Sequence, residues 1–485
     1  MTPLDQQFIG NRWVASQGSR RLPVTNPYSE TQIAEVTAGH PDDVDAAVDA
    51  ARCALPAWQA LSGGERADYL EAIASALSQR REALILTSVT NNGKVRDEAA
   101  IDLDDAIACY RYYAEQARQL DARQGTPVAL AMAGVEARCY HDPVGVVGLI
   151  TPWNFPLVTS AWKLAPALAA GCTAVFKPSE VTPLPELALA EIAVAIDLPA
   201  GVLNLLNGDG EGIGAPLSRH PGVDKLSFTG SNAVGEAVMK AAAEHTANVS
   251  LELGGKSPIL VMEDADPEQA ADWVMAGIYY NAGQICSATS RLLVHEAVAE
   301  PLYAALAARI DALTLGDPLQ AETDMGPLTR AQQRHSVQRY LAIARQENLV
   351  AVRDDRHRTL PDTGFFVAPI LYRDVPVESV LWREEIFGPV LCGRSVVDEA
   401  EAIALANASD FGLVATVISG DPERARRIGR QLQAGSVWYN SEQLVLPQTG
   451  WGGFKRSGIG RELGPWGLAA YLEVKHLIGP CDPKA

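Results

Sequence analysis

A chain of 485 residues is too long for one compact core and implies two or three domains. Its 40 Lys and Arg against 59 Asp and Glu leave a formal charge of −19. A surface of that sign repels nucleic acid and anionic membranes, so neither is expected as a partner, while 47% hydrophobic residues exclude wholesale disorder.

The opening stretch Met1–Gln7 has neither a basic region nor an apolar run, so no signal peptide is expected. Lys163 and Pro166 interrupt the best local candidate for a membrane span. The seven cysteines (Cys53, Cys109, Cys139, Cys172, Cys286, Cys392, Cys481) are odd in number and form no C-x-x-C pair. That pattern suits free thiols in a reducing cytoplasm better than disulfides or a metal site. The last residues, Cys481–Ala485, match no retention or lipidation signal.

Short strands and turns are expected up to Pro41, where Asn26-Pro27 and Gly39-His40-Pro41 break the pattern. Three helices follow, from Asp42, over Glu65–Thr90, and over Val95–Gln119. The segment 121–141 reads as a hairpin, Pro127–Leu130 against Val135–Tyr140. Apolar runs then recur at Val144–Ile150, Cys172–Phe176, Val202–Leu206, Lys225–Phe228 and Val249–Leu253, with helical patterns between them at Thr159–Ala169, Pro183–Ala195, Gly212–Ser218 and Ala233–Glu244. Strand–helix–strand units of this length predict a parallel sheet buried on both faces.

A second series starts at Ser257, with strands at Pro258–Met262, Ala351–Arg353, Phe366–Leu371 and Ala415–Ser419. Its helices are expected at Pro267–Asn281, Ala297–Ala312, Thr329–Gln346, Glu399–Ala408 and Pro422–Gln433. The tail from Pro465 to Leu477 reads as a helix turn and a strand able to pair with the hairpin or with another subunit. The fold class is therefore α/β with two parallel-sheet units.

Several stretches carry chemistry. Asn281-Ala282-Gly283-Gln284-Ile285-Cys286-Ser287-Ala288 sets a lone thiol in a small-residue turn, where it is either a buried core cysteine or a nucleophile. Glu252 lies in an apolar run before Gly254-Gly255-Lys256; it is either a salt-bridge partner of Lys256 or a buried carboxylate with proton-transfer work. Asn154, between aromatics and prolines in Pro152-Trp153-Asn154-Phe155-Pro156, is a turn former or a fixed oxyanion donor. Lys177 and Glu180 end a strand, as a surface pair or as a grip on ribose hydroxyls. Phe228-Thr229-Gly230-Ser231 meets a helix N-terminus, which is a capped helix or a phosphate site. Gly210, Gly212 and Ala215 match G-x-G-x-x-A, but the acid expected about 20 residues on is missing, and a glycine-rich helix start explains them equally well.

Taken together, these stretches, with Glu384-Glu385-Ile386-Phe387-Gly388-Pro389, resemble the aldehyde dehydrogenase superfamily from roughly Phe8 to Lys475. The resemblance implies a Rossmann-like NAD-binding domain (1–120 and 142–253), a catalytic domain (254–450) and a small β oligomerisation element (121–141 and 466–485). Cys286 then matches the nucleophile, Glu252 the general base, the Asn154 amide with the Cys286 N–H the oxyanion hole, and Lys163 a supporting lysine. Trp153, Lys177, Glu180, Gly230, Ser231, Gly235, Leu253, Glu385 and Phe387 match cofactor contacts. A carboxylate at Glu180 disfavours a 2′-phosphate, so NAD is expected over NADP.

The sequences around Cys286 and Trp451 are similar to the betaine-aldehyde and aminoaldehyde branch of that superfamily. There Phe155, Trp162, Tyr280 and Trp451 match rings around a cationic amine, and Ile285 and Ser287 flank the thiol. The segment Ser441–Thr449 departs from the branch pattern. The implied activity is NAD-dependent oxidation of an ω-amino or trimethylammonio aldehyde by a homodimer or homotetramer with no metal. The alternatives are a general aliphatic or semialdehyde dehydrogenase, or a silent scaffold protein.

Overall fold

The computed structural model describes residues 3–481. The last four residues of the expected tail element, 482–485, lie outside them.

Two sheets built mainly of parallel strands organise the chain, as the α/β class requires. The first runs, edge to edge, Arg12–Ala15, Gln6–Ile9, Leu203–Leu205, Thr173–Lys177, Val146–Ile150, Lys225–Thr229, Asn248–Glu252 and Gly458–Ile459. Its central strands are parallel, and Val146–Ile150 and Thr173–Lys177 are buried at every position because helices cover both faces. The helix Pro156–Ala170 is likewise buried throughout, and it stops where Gly171 takes φ 95°.

The region of three expected helices holds four: Pro41–Gln59, Gly63–Gln79, Arg81–Asn92 and Arg96–Leu120. The run Glu65–Thr90 is broken at Arg80 (φ −97°, ψ 11°), where no Gly or Pro marks the place. A tertiary contact fixes the corner, because the Arg80 guanidinium reaches Glu191 at 2.9 Å on the helix Leu184–Ala195.

The second sheet has the order Val350–Arg353, Ile370–Arg373, Val390–Val396, Arg291–His295, Pro258–Val261, Val414–Ile418 and Ser436–Tyr439. Three of these strands, Arg291–His295, Val390–Val396 and Ser436–Tyr439, were not expected. Arg291 opens its strand as a fully buried cation that donates to three main-chain carbonyls, so the strand does not look apolar in sequence. The expected strand Phe366–Leu371 begins only at Ile370, because Pro369 has no N–H for the ladder.

The tail strand Leu472–Pro480 pairs antiparallel with Val135–Pro143 over nine residues, Leu472 facing Pro143 and Pro480 facing Val135. The first arm of the hairpin is short, Thr126–Pro127. Among the described residues, no helix is long and apolar enough to cross a membrane.

Candidate active site

The stretch around Cys286 follows the helix Pro267–Tyr279 and bends by left-handed residues. Asn281 (φ 47°, ψ 37°) and Ala282 (φ 51°, ψ 34°) precede Gly283 at φ 75°. At Gly283 a side chain is excluded outright, since a Cβ would stand 2.1 Å from the Gly388 carbonyl oxygen. The turn is tied on several sides. Asn281 N–H donates to Glu98 Oε1 at 2.7 Å, Gln284 Nε2 donates to Asn281 O at 3.0 Å, and Gln284 Oε1 accepts from Thr329 N–H at 2.9 Å. Half-buried Cys286 then faces a cavity of about 660 Å³. Burial, with the Glu252 and Glu385 carboxylates nearby, pushes its thiol up to about 12, so the resting sulfur is protonated.

Asn154 faces the same cavity, and its Nδ2 donates to Gln284 O at 2.8 Å. Its own carbonyl accepts from Asn281 Nδ2 at 3.2 Å and Asn92 Nδ2 at 3.4 Å. Glu252 closes the strand Asn248–Glu252, and both of its carboxylate oxygens are buried without a hydrogen-bond partner. Burial, then the Glu462 charge, raises its pKa well above the carboxylate range. The salt bridge to Lys256 is not formed: Lys256 Nζ is also without a partner, and burial lowers it to about 8. Lys163 stands behind the cavity wall, donating to Thr229 Oγ1 at 2.6 Å and Glu462 Oε1 at 2.5 Å. Glu462, to which Ser227 Oγ also donates at 2.9 Å, was not singled out from sequence. It lies 210 positions beyond Glu252 in an unremarkable Gly-Arg-Glu-Leu stretch.

Trp153, Gly230, Ser231, Leu253, Glu385 and Phe387 line the cavity. Ser231 caps the helix Asn232–Ala243 without spending its hydroxyl on the helix, which leaves that group and the exposed N–H groups for an anion. Glu385 accepts from Gly255 N–H at 3.1 Å and is raised by burial to about 7. Phe387 (φ 56°) sets its ring edge-on to Trp153 at 5.2 Å, and the Arg330 guanidinium lies 5.5 Å over Trp153. Lys177 Nζ donates to Pro178 O at 2.8 Å and Glu180 Oε2 at 3.3 Å at the strand's carboxyl end, and neither residue lines the cavity. Gly235 is explained by packing, since a Cβ there would stand 2.4 Å from Leu253 Cδ2. An uncommitted hydroxyl at a helix start, a half-exposed carboxylate at Glu180 and a buried one at Glu385 fit a dinucleotide with two ribose diols. The Gly210–Gly214 segment does not: it is one widened helical turn whose N–H is taken by Asp209, itself paired to Arg20 at 2.5 Å.

Further aromatic rings, Phe155, Trp162, Tyr280 and Trp451, line the same cavity. Phe155 and Tyr280 stack at 6.0 Å with 7° between their planes, and Trp162 meets Trp451 at 5.2 Å. Trp438, not foreseen, lies 6.3 Å from Trp451. Lys94 Nζ occupies a face of Phe155 at 4.0 Å, so that ring is committed to the protein's own cation. Ile285 and Ser287 flank the thiol, and Gln443 Nε2 ties the loop Glu442–Leu446 to Ser287 O at 3.1 Å. Asp105 and Glu442 also line the cavity. Asp105 is raised by burial, and by neighbouring Asp102 and Asp104, to about 6.

Residues 13–477 match the aldehyde dehydrogenase family, and the chain belongs to that family. Within it, the chain is 45% identical over 480 residues to a chloroplastic aminoaldehyde dehydrogenase of Arabidopsis thaliana, covering 98% of this chain and 96% of the relative. It is 44% identical over 480 residues to betaine aldehyde dehydrogenase 1 of Oryza sativa, covering 98% and 95%. The crystal structure of a Staphylococcus aureus betaine aldehyde dehydrogenase variant with NAD+ superposes at a TM-score of 0.95, with 36% identity over 99% of this chain and 98% of that one.

Proposed function

We propose that this NAD-dependent aldehyde oxidoreductase acts on aldehydes bearing a distal cationic amine, ω-aminoaldehydes or trimethylammonio aldehydes such as betaine aldehyde. One observation carries the reading: Trp162, Tyr280 and Trp451, with the carboxylates Asp105 and Glu442, share a cavity with Cys286, Asn154 and Glu252. Aromatic faces and carboxylates attract an ammonium, with about 0.5–2 kcal/mol per desolvated cation–π contact. The same carboxylates repel an anionic semialdehyde and are of no use to a plain aliphatic one. The similarity to aminoaldehyde and betaine aldehyde dehydrogenases supports the reading.

The chemistry follows from the groups present. The Cys286 thiol gives its proton to solvent water as its sulfur bonds the aldehyde carbon, and the oxyanion left on the former carbonyl oxygen takes hydrogen bonds from Asn154 Nδ2 and the Cys286 N–H. When bound, NAD+ supplies the acceptor for the hydride of the former aldehyde carbon. The acyl group is then a thioester on Cys286. Glu252 acts in its ionised form, and its raised pKa makes that carboxylate a stronger base: it takes a proton from water as the water attacks the thioester carbonyl, the C–S bond then breaks, and the proton passes to the leaving sulfur, which frees the acid and the thiol. Lys163, through Glu462 and Thr229, fixes the wall behind Glu252. Lys177, Glu180, Gly230, Ser231, Glu385, Phe387 and Trp153 would hold the dinucleotide, and a carboxylate at Glu180 repels a 2′-phosphate.

The strand Leu472–Pro480 leaves Val474, Leu477 and Ile478 exposed by 59%, 56% and 69%, which supports a homodimer or homotetramer joined along this sheet. Seven free thiols support the cytoplasm as its location. The test is kcat/KM for betaine aldehyde, 4-aminobutanal, hexanal and succinic semialdehyde, with NAD+ and NADP+ side by side. The cationic aldehydes with NAD+ are expected to lead, and a lead for succinic semialdehyde would overturn the reading.

A further inference from the structure

The two donors assigned to the oxyanion hole, the Asn154 amide and the Cys286 N–H, sit on chain segments more than 130 positions apart, so something must fix their spacing. We infer that Glu98, with Asp102 one turn on, is the positioning residue that clamps these two segments to a single helix end. This rests on the proposed roles of Cys286 and Asn154.

Both carboxylates belong to the first turns of the helix Arg96–Leu120 and are buried, at 6% and 1% exposure. Glu98 Oε1 accepts from the N–H of Asn281 at 2.7 Å, while its Oε2 accepts from Val95 N–H at 3.1 Å and so caps its own helix. The Asn281 N–H lies past the end of the helix Pro267–Tyr279, in the left-handed turn, and Asn281 is itself buried. Without Glu98 it would be an orphan donor in the interior. Asp102 Oδ1 accepts from Val158 N–H at 2.9 Å, in the first turn of the helix that Asn154 and Phe155 precede. One helix end therefore holds the segment before Cys286 with one carboxylate and the segment after Asn154 with the other. The charges facing Glu98 are Lys94, which pairs with Asp102 at 3.4 Å, and Asp97, while the Tyr280 phenol lies near. Neither oxygen of Glu98 is left over for a substrate, and Glu98 does not line the cavity. Its role is geometric.

Glu98→Gln keeps the shape but turns an NH2 toward one of two N–H donors, so the Asn281 and Val95 bonds cannot both survive. Displacing a catalytic donor by about 1 Å costs on the order of 100-fold. The expected result is a fall of about 10- to 100-fold in kcat and in the rate of the first NADH burst, with KM for the aldehyde and for NAD+ within about twofold of wild type. Hydrogen exchange should quicken in peptides covering 281–286. Glu98→Asp, which keeps the charge but not the reach, serves if Glu98→Gln does not fold, with the same split expected. Ser62→Ala removes the corresponding cap of the helix Gly63–Gln79 and controls for general loss of a helix start; it should leave kcat unchanged. A kcat within threefold of wild type in both Glu98 variants, or a loss confined to KM, overturns the inference. Cys286→Ser separates the two readings: if it abolishes activity while the Glu98 variants turn over normally, only the clamp fails.

Discussion

Glu252→Gln tests the chemistry most directly. The wild-type carboxylate is buried with both oxygens unpaired, so glutamine fits the same space and breaks no hydrogen bond. What it removes is the basic oxygen that takes the water proton. General-base catalysis contributes roughly 100- to 10,000-fold, or about 3–5 kcal/mol of barrier at 1.36 kcal/mol per tenfold. That loss falls on hydrolysis of the thioester alone. Stopped-flow mixing with 4-aminobutanal and NAD+ should show a burst of about one NADH per active site followed by turnover slowed by that factor. Thermal stability should change little, because burial already favours the neutral form of Glu252 and glutamine is neutral and of the same size. A lost burst with normal hydrolysis, or steady turnover within threefold of wild type, would show that Glu252 is not the base for deacylation.

Trp451→Ala removes a ring that packs on Trp162 at 5.2 Å. If it faces the amine, kcat/KM for 4-aminobutanal relative to hexanal should drop about 2- to 30-fold, the span of 0.5–2 kcal/mol, and an equal loss for both substrates would refute the role. Asp105 gives a pH signature. Its folded pKa is raised to about 6, so it is neutral below that pH and a carboxylate above it. Preference for 4-aminobutanal over hexanal should therefore rise between about pH 5 and pH 7, and Asp105→Asn should flatten the rise, as kcat/KM profiles would report. Gly283→Ala meets the Gly388 oxygen at 2.1 Å and a φ of 75°, and should cost about 2–5 kcal/mol in urea unfolding. A wild-type midpoint would show that the turn has another way to settle.

How much of this can be read from sequence depends on distance along the chain. The first sheet is legible because its strands are uninterrupted apolar runs separated by helices, a pattern set by burial on both faces. Cys286, Asn154 and Glu252 each admit a bland reading taken singly; what singles them out is the resemblance of several ordered motifs to one family, and all three line one cavity. Arg291–His295 escapes because a buried guanidinium satisfied by carbonyls cannot be told from a surface arginine. Glu462 escapes for a related reason: its partner Lys163 is 299 positions away, and pairing across such a gap leaves no local trace. Trp438 lies on the unexpected strand Ser436–Tyr439, and Glu442 in the loop beyond it, which Gln443 ties to Ser287. The break at Arg80 is likewise made by Glu191 and not by the helix itself.

The left-handed run Asn281–Gly283 also says something about how portable this chemistry is. Its shape is not encoded within its own few residues, since two of the three pay the steric penalty of an L side chain at positive φ. Glu98, Thr329 and the Gly388 carbonyl, from three distant parts of the chain, together mould it. Grafted into another scaffold as a contiguous peptide, the turn would relax to an ordinary right-handed form and carry its cysteine away from any carbonyl it was meant to meet. A designer borrowing this cysteine turn would have to bring its three remote supports as well.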